Sequence, residues 1–504
     1  MGRLHAIAVA AATIALAVAS QASALPRLSA EPDPTRGGRI VDSRGREVLL
    51  RGVNVNALGE YWQGTAIDPT LPLERRDPAR IAAIGWNAVR LIVSWSRVEP
   101  RPGRYNERYL DRVAKWVRRF REEGLYTIVD FHQDAWGATL AARPGEVCPS
   151  GYEPAFGWDG APGWATLDEG EPRCFLSSRE VNPAVAAAWA NFFADAPGPG
   201  GIGIQTRYTR MLAHVAERFA GKRAVAGIDV MNEPNAFGAT ETAQLGTFYE
   251  RSLAAIRRGE RRGDGFRHLV LFEPSVLWSL IGQGPPPAFD HDRNVVYSPH
   301  LYGGSIGGEG PPSRASFETA RTEAEAFGGA PVLTGEWGGD PDRATGGPGD
   351  YFLAHQALQD EFRIGATLWS WKQSCGDPHA ATHGGEPPLP PWNVFEMDCA
   401  DGKNRIVGPH RKLVDDLRRG YVRRAPGRLT AMAWDHERRI LTASGRGAQR
   451  SDGPFEVWFP ERSANFAGSD LGKRFAVQIR PVGAGMLLRF QQAGPRWSLR
   501  LSQR

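Results

Sequence analysis

Cysteine is scarce in this sequence, with four among 504 residues and no CxxC pair. A glycine-rich phosphate-binding turn is missing after the first predicted strand, which argues against a dinucleotide or nucleotide site there. No basic-aromatic motif typical of nucleic-acid binding occurs either. We therefore expect neither a cofactor nor a nucleic-acid partner.

The four cysteines form two local pairs, Cys148 with Cys174 and Cys375 with Cys399, separated by 26 and 24 residues. In an exported chain such spacing favours two disulfides that each close a loop. A metal site is the alternative, and the missing CxxC spacing argues against it. We predict two disulfides and no metal.

The first 24 residues resemble a secretory signal peptide. Arg3 precedes an apolar run at 6–19, and a small-residue cleavage pattern follows at 22–24. The run has 14 residues, fewer than the ~20 that a membrane-spanning helix needs. We expect cleavage near Leu25 and a secreted protein; an uncleaved membrane anchor is the alternative.

Positive charge is concentrated at the C-terminal end. The whole chain carries a formal charge of +5, whereas residues 421–504 hold 15 Lys/Arg and 6 Asp/Glu. This excess is consistent with a solvated basic face, or with attraction to an anionic membrane surface. We expect at most a transient membrane contact and a monomeric protein.

Between residues 38 and 420, short apolar runs alternate with helix-period segments. Near-continuous apolar character indicates parallel strands buried on both faces. Eight strand-then-helix units predict an α/β fold of the (β/α)8 TIM-barrel type over 25–420, with a doubly wound open sheet as the alternative. The predicted strands are 48–54, 88–94, 126–131, 225–231, 268–272, 295–298, 332–334 and 366–370.

Past residue 421 the helical period is absent, and short strands alternate with Gly/Pro turns. This pattern predicts a small C-terminal antiparallel β-sandwich over 421–504. Its predicted strands are 439–443, 455–459, 475–479, 486–490 and 497–501.

Two glutamates follow or end barrel strands. Glu233 lies in Asn-Glu-Pro after strand four, and Glu336 lies in Glu-Trp-Gly at strand seven. The C-terminal mouth of such a barrel is where catalytic side chains are presented. A retaining glycosidase needs two carboxyl groups about 5–5.5 Å apart, one acid/base and one nucleophile. These motifs predict that pair.

The strand ends resemble those of family 5 glycoside hydrolases, since six of them match in order. The resemblance implies Glu233 as acid/base and Glu336 as nucleophile. It further implies substrate-binding or positioning roles for other residues at the mouth: Arg90, His132, Asn232, His300, Tyr302 and Trp369. Because Glu336 is a neighbouring negative charge, we also expect the pKa of Glu233 to be raised.

Within that family, residues 130–134 (Asp-Phe-His-Gln-Asp) are most similar to the strand-three motif of endoglycoceramidases, which implies that Asp134 binds a sugar hydroxyl. Some members of that group use a lysine after strand one, and residues 54–65 contain none, so the headgroup stays open. The loop after strand five is apolar, from Val276 to Phe289, and could line a lipid slot or pack beneath its neighbours.

These features predict a retaining β-glycosidase that cleaves between a sugar headgroup and a lipid aglycone, with a glycolipid or oligosaccharide as substrate. An endo-β-glucanase or mannanase would instead have an open cleft with tryptophans at both ends. A non-catalytic sugar-binding barrel is a further alternative, and the intact glutamate pair argues against it.

Overall fold

The computed structural model describes residues 25–64, 66–176, 178–306, 309–347, 349–380, 391–464, 478–491 and 494–503. The predicted signal peptide and most of the predicted strand 475–479 lie outside these residues. Over the described ranges, no helix is both long and apolar enough to cross a bilayer.

Eight parallel strands form a barrel in sequence order, with strand one beside strand eight. A parallel bridge between Tyr297 and Val332 joins strands six and seven and closes the ring. The predicted (β/α)8 barrel is confirmed. Strands one to eight are Arg51–Val55, Ala88–Val93, Tyr126–Phe131, Val225–Asp229, Leu269–Phe272, Val295–Tyr297, Leu333–Trp337 and Gly365–Leu368.

Every residue of these eight strands is buried, as their apolar runs predict. The helices around them turn apolar faces inward; Leu110, Val113 and Phe120, for example, are buried on one helix. The helices are Asp77–Ala83, Trp95–Val98, Glu107–Glu122, Pro183–Phe193, Ile204–Phe219, Ala239–Arg262, Leu277–Ile281, Arg314–Glu325, Tyr351–Phe362 and Arg411–Leu417.

The long connections at the mouth carry short elements and both disulfides. Cys148–Cys174 lies in the loop after strand three, and Cys375–Cys399 lies after strand eight. Two strand pairs belong to these loops, Glu153–Pro154 with Cys174–Phe175 and Phe395–Asp398 with Arg405–Pro409. Short 3-10 helices are Ala138–Leu140, Gly163–Ala165, Arg179–Val181, Pro199–Gly201, Pro341–Arg343, Ala400–Gly402 and Arg450–Asp452.

A second apolar core lies between two antiparallel sheets at the C-terminal end, with Phe455, Trp458, Leu441 and Leu499 at its centre. This arrangement confirms the predicted β-sandwich. One sheet contains Arg428–Asp435, Ile440–Arg446 and Arg496–Ser502; the other contains Tyr421–Ala425, Phe455–Phe459, Gly485–Phe490 and Gln478–Val482.

Three N-terminal strands extend that second sheet, namely Leu28–Glu31, Arg39–Asp42 and Glu47–Val48. Glu47–Val48 pairs with Tyr421–Ala425, so one sheet contains strands from both ends of the described chain. The domain boundary at residue 421 stays a prediction, and this sheet crosses it.

Two sandwich strands, Tyr421–Ala425 and Arg428–Asp435, were not among the predicted ones. Arginines at 423 and 424 interrupt the apolar alternation that marks a strand. The structure buries both: Arg424 pairs with Glu456, while Arg423 donates to the carbonyls of Gly85 (2.6 Å) and Trp86 (2.7 Å).

Candidate active site

The two predicted glutamates meet at the mouth of the barrel. Glu336 lies within strand seven, and Glu233 lies four residues beyond the end of strand four. A carboxylate oxygen of each and a ring nitrogen of His300 all lie within 4.8 Å of one another. This separation fits a nucleophile and an acid/base acting on one glycosidic bond.

Glu233 adopts a backbone conformation that non-glycine residues seldom adopt, with φ at +39°. Neighbouring side chains hold it there. Glu273 accepts a hydrogen bond from its backbone nitrogen at 2.9 Å, and the Gln133 amide donates to the carbonyls of Asn232 (2.7 Å) and Glu233 (2.8 Å). The fold thus fixes the backbone beneath the carboxylate, a use of strain that is common at active sites.

Arg90, on strand two, is fully buried and lies among four carboxylates. It contacts Glu336 at 2.7 Å, Glu273 at 2.8 Å, Asp229 at 2.9 Å and Asp130 at 3.0 Å. A guanidinium can do this because it offers five N–H donors in one plane. The Arg90 guanidinium therefore links strand two to acidic residues on, or directly after, strands three, four, five and seven.

Glu336 has a hydrogen bond on each carboxylate oxygen. Arg90 Nη1 donates to Oε1 at 2.7 Å, and the Tyr302 hydroxyl donates to Oε2 at 2.8 Å. Donors of this kind favour the ionised carboxylate and hold it in one orientation. These contacts suit a nucleophile.

Glu233 is approached by different groups. His300 Nδ1 lies 2.8 Å from its Oε1, and the Ser279 hydroxyl donates to the same oxygen. Arg179 Nη2 lies 4.0 Å from Oε2. The other ring nitrogen of His300 is 3.2 Å from Glu273, so the imidazole bridges two carboxylates.

The charges of these neighbours shift the pKa of Glu233 in the direction opposite to the one expected. Burial raises its pKa, but the hydrogen bond and charge of His300, together with Arg179, outweigh burial and place the pKa below its ordinary value. Burial dominates at Glu336 and raises its pKa, against the opposing charges of His300, Arg90 and His132. The expectation that Glu336 would raise the pKa of Glu233 was wrong, because it left out the two cations.

The same contacts shift the pKa of His300 in the opposite direction. Burial lowers the pKa of His300, but the carboxylates of Glu273, Glu336 and Glu233 raise it well above the ordinary histidine value. An imidazolium 2.8 Å from Glu233 Oε1 is thus the form that the site favours near neutral pH.

The other predicted residues take up positions around this pair. The His132 ring stacks on Trp369 at 5.4 Å, and its Nδ1 lies 2.7 Å from Asp130. Asp134 is paired with Arg179 at 2.6 Å and lies 3.2 Å from His379. Asn232 accepts from Arg90 at 3.0 Å. The structure brings all nine predicted catalytic and binding residues together; their individual roles stay predictions.

A cavity of about 460 Å³ opens over the two glutamates. One group of lining side chains is polar or aromatic and includes His132, Asp134, Trp158, Arg179, Trp369 and His379. A second group is apolar and comes from the loops after strands three, five and six: Phe156, Phe175, Val185, Val276, Leu280 and Ile306. The cavity thus offers both sugar-type and lipid-type contacts.

The apolar loop after strand five divides between two surroundings. Val276 and Leu280 line the cavity, as a lipid slot requires. Phe289 instead packs against Phe272 and Phe327 in the barrel core, and Trp278 is buried. The loop thus packs beneath its neighbours in one part and lines the cavity in another, and the lipid slot stays a prediction.

Two histidine-carboxylate clusters at the mouth have donor atoms close enough for a metal ion, Glu233 with His300 and Glu336, and His132 with Asp134 and Asp159. In both, cations already face the carboxylates, namely Arg90 at Glu336 and Arg179 at Asp134. These charges favour a hydrogen-bonded proton network over a metal centre.

Sequence reasoning missed Asp130, Asp229 and Glu273 at strand ends, and Ser279, Arg179 and His379 in loops. The first three are polar residues at barrel strand ends. Because the glutamates were predicted from that same position, these three residues could also have been predicted. The loop residues carried no signal, since long-range packing brings them to the mouth.

Comparison with known proteins identifies the family. The model for cellulase, glycosyl hydrolase family 5, matches residues 41–374, about two thirds of the chain. The chain belongs to glycosyl hydrolase family 5. The predicted resemblance to that family is confirmed.

The chain is also similar to individual proteins and solved structures, which match different shares of it. A crystal structure of an endogalactoceramidase is 35% identical, with a TM-score of 0.80, and the match covers 95% of this chain and 100% of that one. Endoglycoceramidase I of Rhodococcus hoagii is 28% identical over 282 residues, and endoglycoceramidase of Cyanea nozakii is 27% identical over 286. The match spans about half of each relative: 52% and 55% of their lengths, and 53% and 52% of this chain.

The fold is also that of endoglycoceramidase II from Rhodococcus sp. in complex with ganglioside GM3. That structure is 23% identical, with a TM-score of 0.69, and the match covers 94% of this chain and all of the other. At this identity the likeness concerns the fold alone.

Proposed function

We propose that this chain is a secreted, retaining β-glycosidase that cleaves the bond between the sugar headgroup and the lipid of a glycosphingolipid. The observation that carries the proposal is the cavity itself, whose lining combines the glutamate pair, polar and aromatic side chains suited to a sugar, and an apolar wall that includes Val276 and Leu280. The similarity to an endogalactoceramidase over its full length supports the same class of substrate.

The reaction follows from the two carboxylates. Glu336 attacks the anomeric carbon while a proton passes from Glu233 to the glycosidic oxygen, which releases the ceramide and leaves a glycosyl ester on Glu336. Glu233 then takes a proton from water as that water attacks the same carbon, and the headgroup leaves with its β configuration retained. Arg90 and Tyr302 each donate a hydrogen bond to the Glu336 carboxylate and orient it for attack.

The proton for the first step is shared. Since the pKa of Glu233 is lowered and that of His300 is raised, the imidazolium holds the proton and supplies it to Glu233 Oε1 across 2.8 Å as the bond breaks. Glu233 and His300 therefore act as one acid, and the apparent pKa values that kinetics would report belong to the pair.

Contact with a lipid surface would bring an embedded substrate to the cavity. Exposed apolar side chains lie on the mouth loops, among them Val147, Leu176 and Val181 after strand three and Phe237 after strand four. We infer that a monomer touches the membrane transiently through these loops. Replacing their exposed apolar side chains with aspartate should then lower the affinity of the protein for liposomes.

A substrate panel tests the function. Galactosylceramide, glucosylceramide, lactosylceramide, a ganglioside, a steryl glucoside and carboxymethylcellulose are compared by released sugar, and we expect cleavage of one or more of the ceramides. Preferred hydrolysis of carboxymethylcellulose would favour the glucanase alternative. NMR at early times should show the β-anomer of the released sugar, and an initial α-anomer would exclude retention.

Variants of the pair test the site. Glu233→Gln removes the acid/base, and Glu336→Gln removes the nucleophile. Each should therefore lower kcat by several orders of magnitude. Glu396→Gln, away from the cavity on the strand Phe395–Asp398, is the matched control. A mild effect at Glu233 or Glu336 would remove that residue from its role.

A further inference from the structure

The short helix Leu277–Ile281 contacts both the apolar wall of the cavity and the acid/base. Ser279 is buried, and its hydroxyl donates to Glu233 Oε1. Leu280, the next residue, lines the cavity and is 41% exposed, and Val276, which precedes the helix, lines the same wall. The residue that contacts Glu233 is thus directly followed by a residue of the apolar lining.

The helix is tied to the Glu233 loop at its start and capped by a glycine at its end. Val276 donates its backbone N–H to the carbonyl of Pro234 at 3.1 Å, which ties the start of the helix to the Glu233 loop. Gly282, with φ at +67°, ends the helix and donates to the carbonyl of Trp278 at 2.9 Å. Leu280 and Ser279 are therefore consecutive residues of one short helix whose start is tied to the Glu233 loop.

We propose that the helix Leu277–Ile281 couples the lipid to catalysis, with Ser279 as a positioning residue that orients Glu233 when the aglycone packs against Val276 and Leu280. This inference rests on the proposed function. A ceramide chain on the apolar wall would fix the helix, and the Ser279 hydroxyl would hold Glu233 Oε1 so that the acid faces the leaving oxygen. Binding of a part of the substrate remote from the reacting bond would then raise kcat as well as lower KM.

The hydroxyl suits this role because it is neutral and can rotate. It donates to Glu233 Oε1 and leaves the proton of the acid for the glycosidic oxygen, so it can hold the carboxyl group before and after proton transfer. The charged groups that face Glu233 are His300 from strand six, Glu336 from strand seven, and Arg179 and Asp134 from the loop after strand three. Ser279 adds orientation without adding a charge.

The test compares two substrates that share one sugar and differ in aglycone, a ceramide glycoside and a methyl glycoside. Both leaving groups are alkoxides that need a proton, so the acid step is common to them. We expect Ser279→Ala to lower kcat on the ceramide glycoside about tenfold and so to reduce the ratio of the ceramide kcat to the methyl glycoside kcat. The KM for the ceramide glycoside should stay within about twofold of that of the unmodified protein. Ser279→Thr, which keeps the hydroxyl, should restore most of the ratio.

Leu280→Ala should lower the same kcat ratio, because it removes wall contact without touching Glu233. Ile281→Ala is the matched control, since Ile281 lies on the same helix, is 61% exposed and is not among the residues that line the cavity. Equal losses on both substrates for Ser279→Ala, or an effect of Leu280→Ala confined to KM, would overturn the coupling. Absence of ceramide cleavage by the unmodified protein would instead overturn the proposed function, so the two failures are distinguishable.

Discussion

At the scale of single residues, the charge balance of the site depends on Arg90. It is the buried cation that contacts four carboxylates at once, and its removal would leave them without that partner in a low-dielectric interior. We expect Arg90→Met to lower the free energy of unfolding by about 3–5 kcal/mol, measured by urea denaturation. Arg314→Met, which breaks an exposed pair with Glu361, should lower the free energy of unfolding far less, and equal losses in the two variants would contradict this view.

His300 determines the pH at which the catalytic acid loses its proton. The coupled pair loses its proton at the raised pKa of His300, so the alkaline limb of kcat/KM lies well above 6.5. In His300→Asn the proton is held by Glu233 alone, and we expect the limb to move to lower pH by at least about one unit. An alkaline limb at the same pH in both proteins would show that His300 holds no catalytic proton.

His379 links pH to stability. Its carboxylate partners, Asp377 and Asp134, raise its pKa to about 10, from 6.5. A raised folded pKa gives stability that is complete below pH 6.5 and is lost as pH rises toward 10. The free energy of unfolding should therefore fall between pH 6.5 and 9.5, and His379→Gln should flatten that fall; parallel profiles for the two proteins would count against it.

At the scale of elements, the eight barrel strands could be predicted because each is an apolar run buried on both faces. The catalytic pair could be predicted for a related reason, since a parallel strand directs the residue at its C-terminal end to the mouth. The strand Tyr421–Ala425 could not, because the partners of its arginines, Glu456 and the carbonyls of Gly85 and Trp86, are distant in sequence. Arg179 could not be predicted for the same reason, because its position depends on how the long connection between strands three and four packs.

The disulfide in the strand-three loop supports the cavity wall. Cys174 is bonded to Cys148 and directly precedes Phe175, and Arg179 lies five residues after Cys174. Phe175 and Arg179 both line the cavity. Closing a loop of this length is worth about 3 kcal/mol in the chain-entropy model. We expect Cys148→Ser/Cys174→Ser to lower Tm and to raise the KM for a ceramide substrate more than that for a methyl glycoside.

The second disulfide provides the control for that prediction. Cys375–Cys399 closes a loop of similar length after strand eight, so Cys375→Ser/Cys399→Ser should give a similar fall in Tm. A mixed result, in which the strand-three pair changes Tm but not the ceramide KM, would show that its loop keeps the cavity wall without the bond.

At the scale of the whole molecule, the barrel and the sandwich share more than a connection. The seven-stranded sheet combines three N-terminal strands with four from beyond residue 420. The Arg423 guanidinium caps carbonyls of Gly85 and Trp86 in the barrel, and Leu49 donates its backbone N–H to the Arg423 carbonyl at 3.2 Å. Such pairing makes the sandwich part of the barrel's own support.

Removal of residues 421–504 should therefore not leave an intact barrel. Glu47–Val48 would lose its partner strand, and the apolar side chain of Leu49, buried in the second core, would face water. We expect the chain 25–420 to be insoluble or to melt about 10 °C or more below the full chain in calorimetry. Co-expression of 421–504 should restore solubility, because the paired strands can reassemble; a truncated chain with an unchanged Tm would show that the barrel is independent.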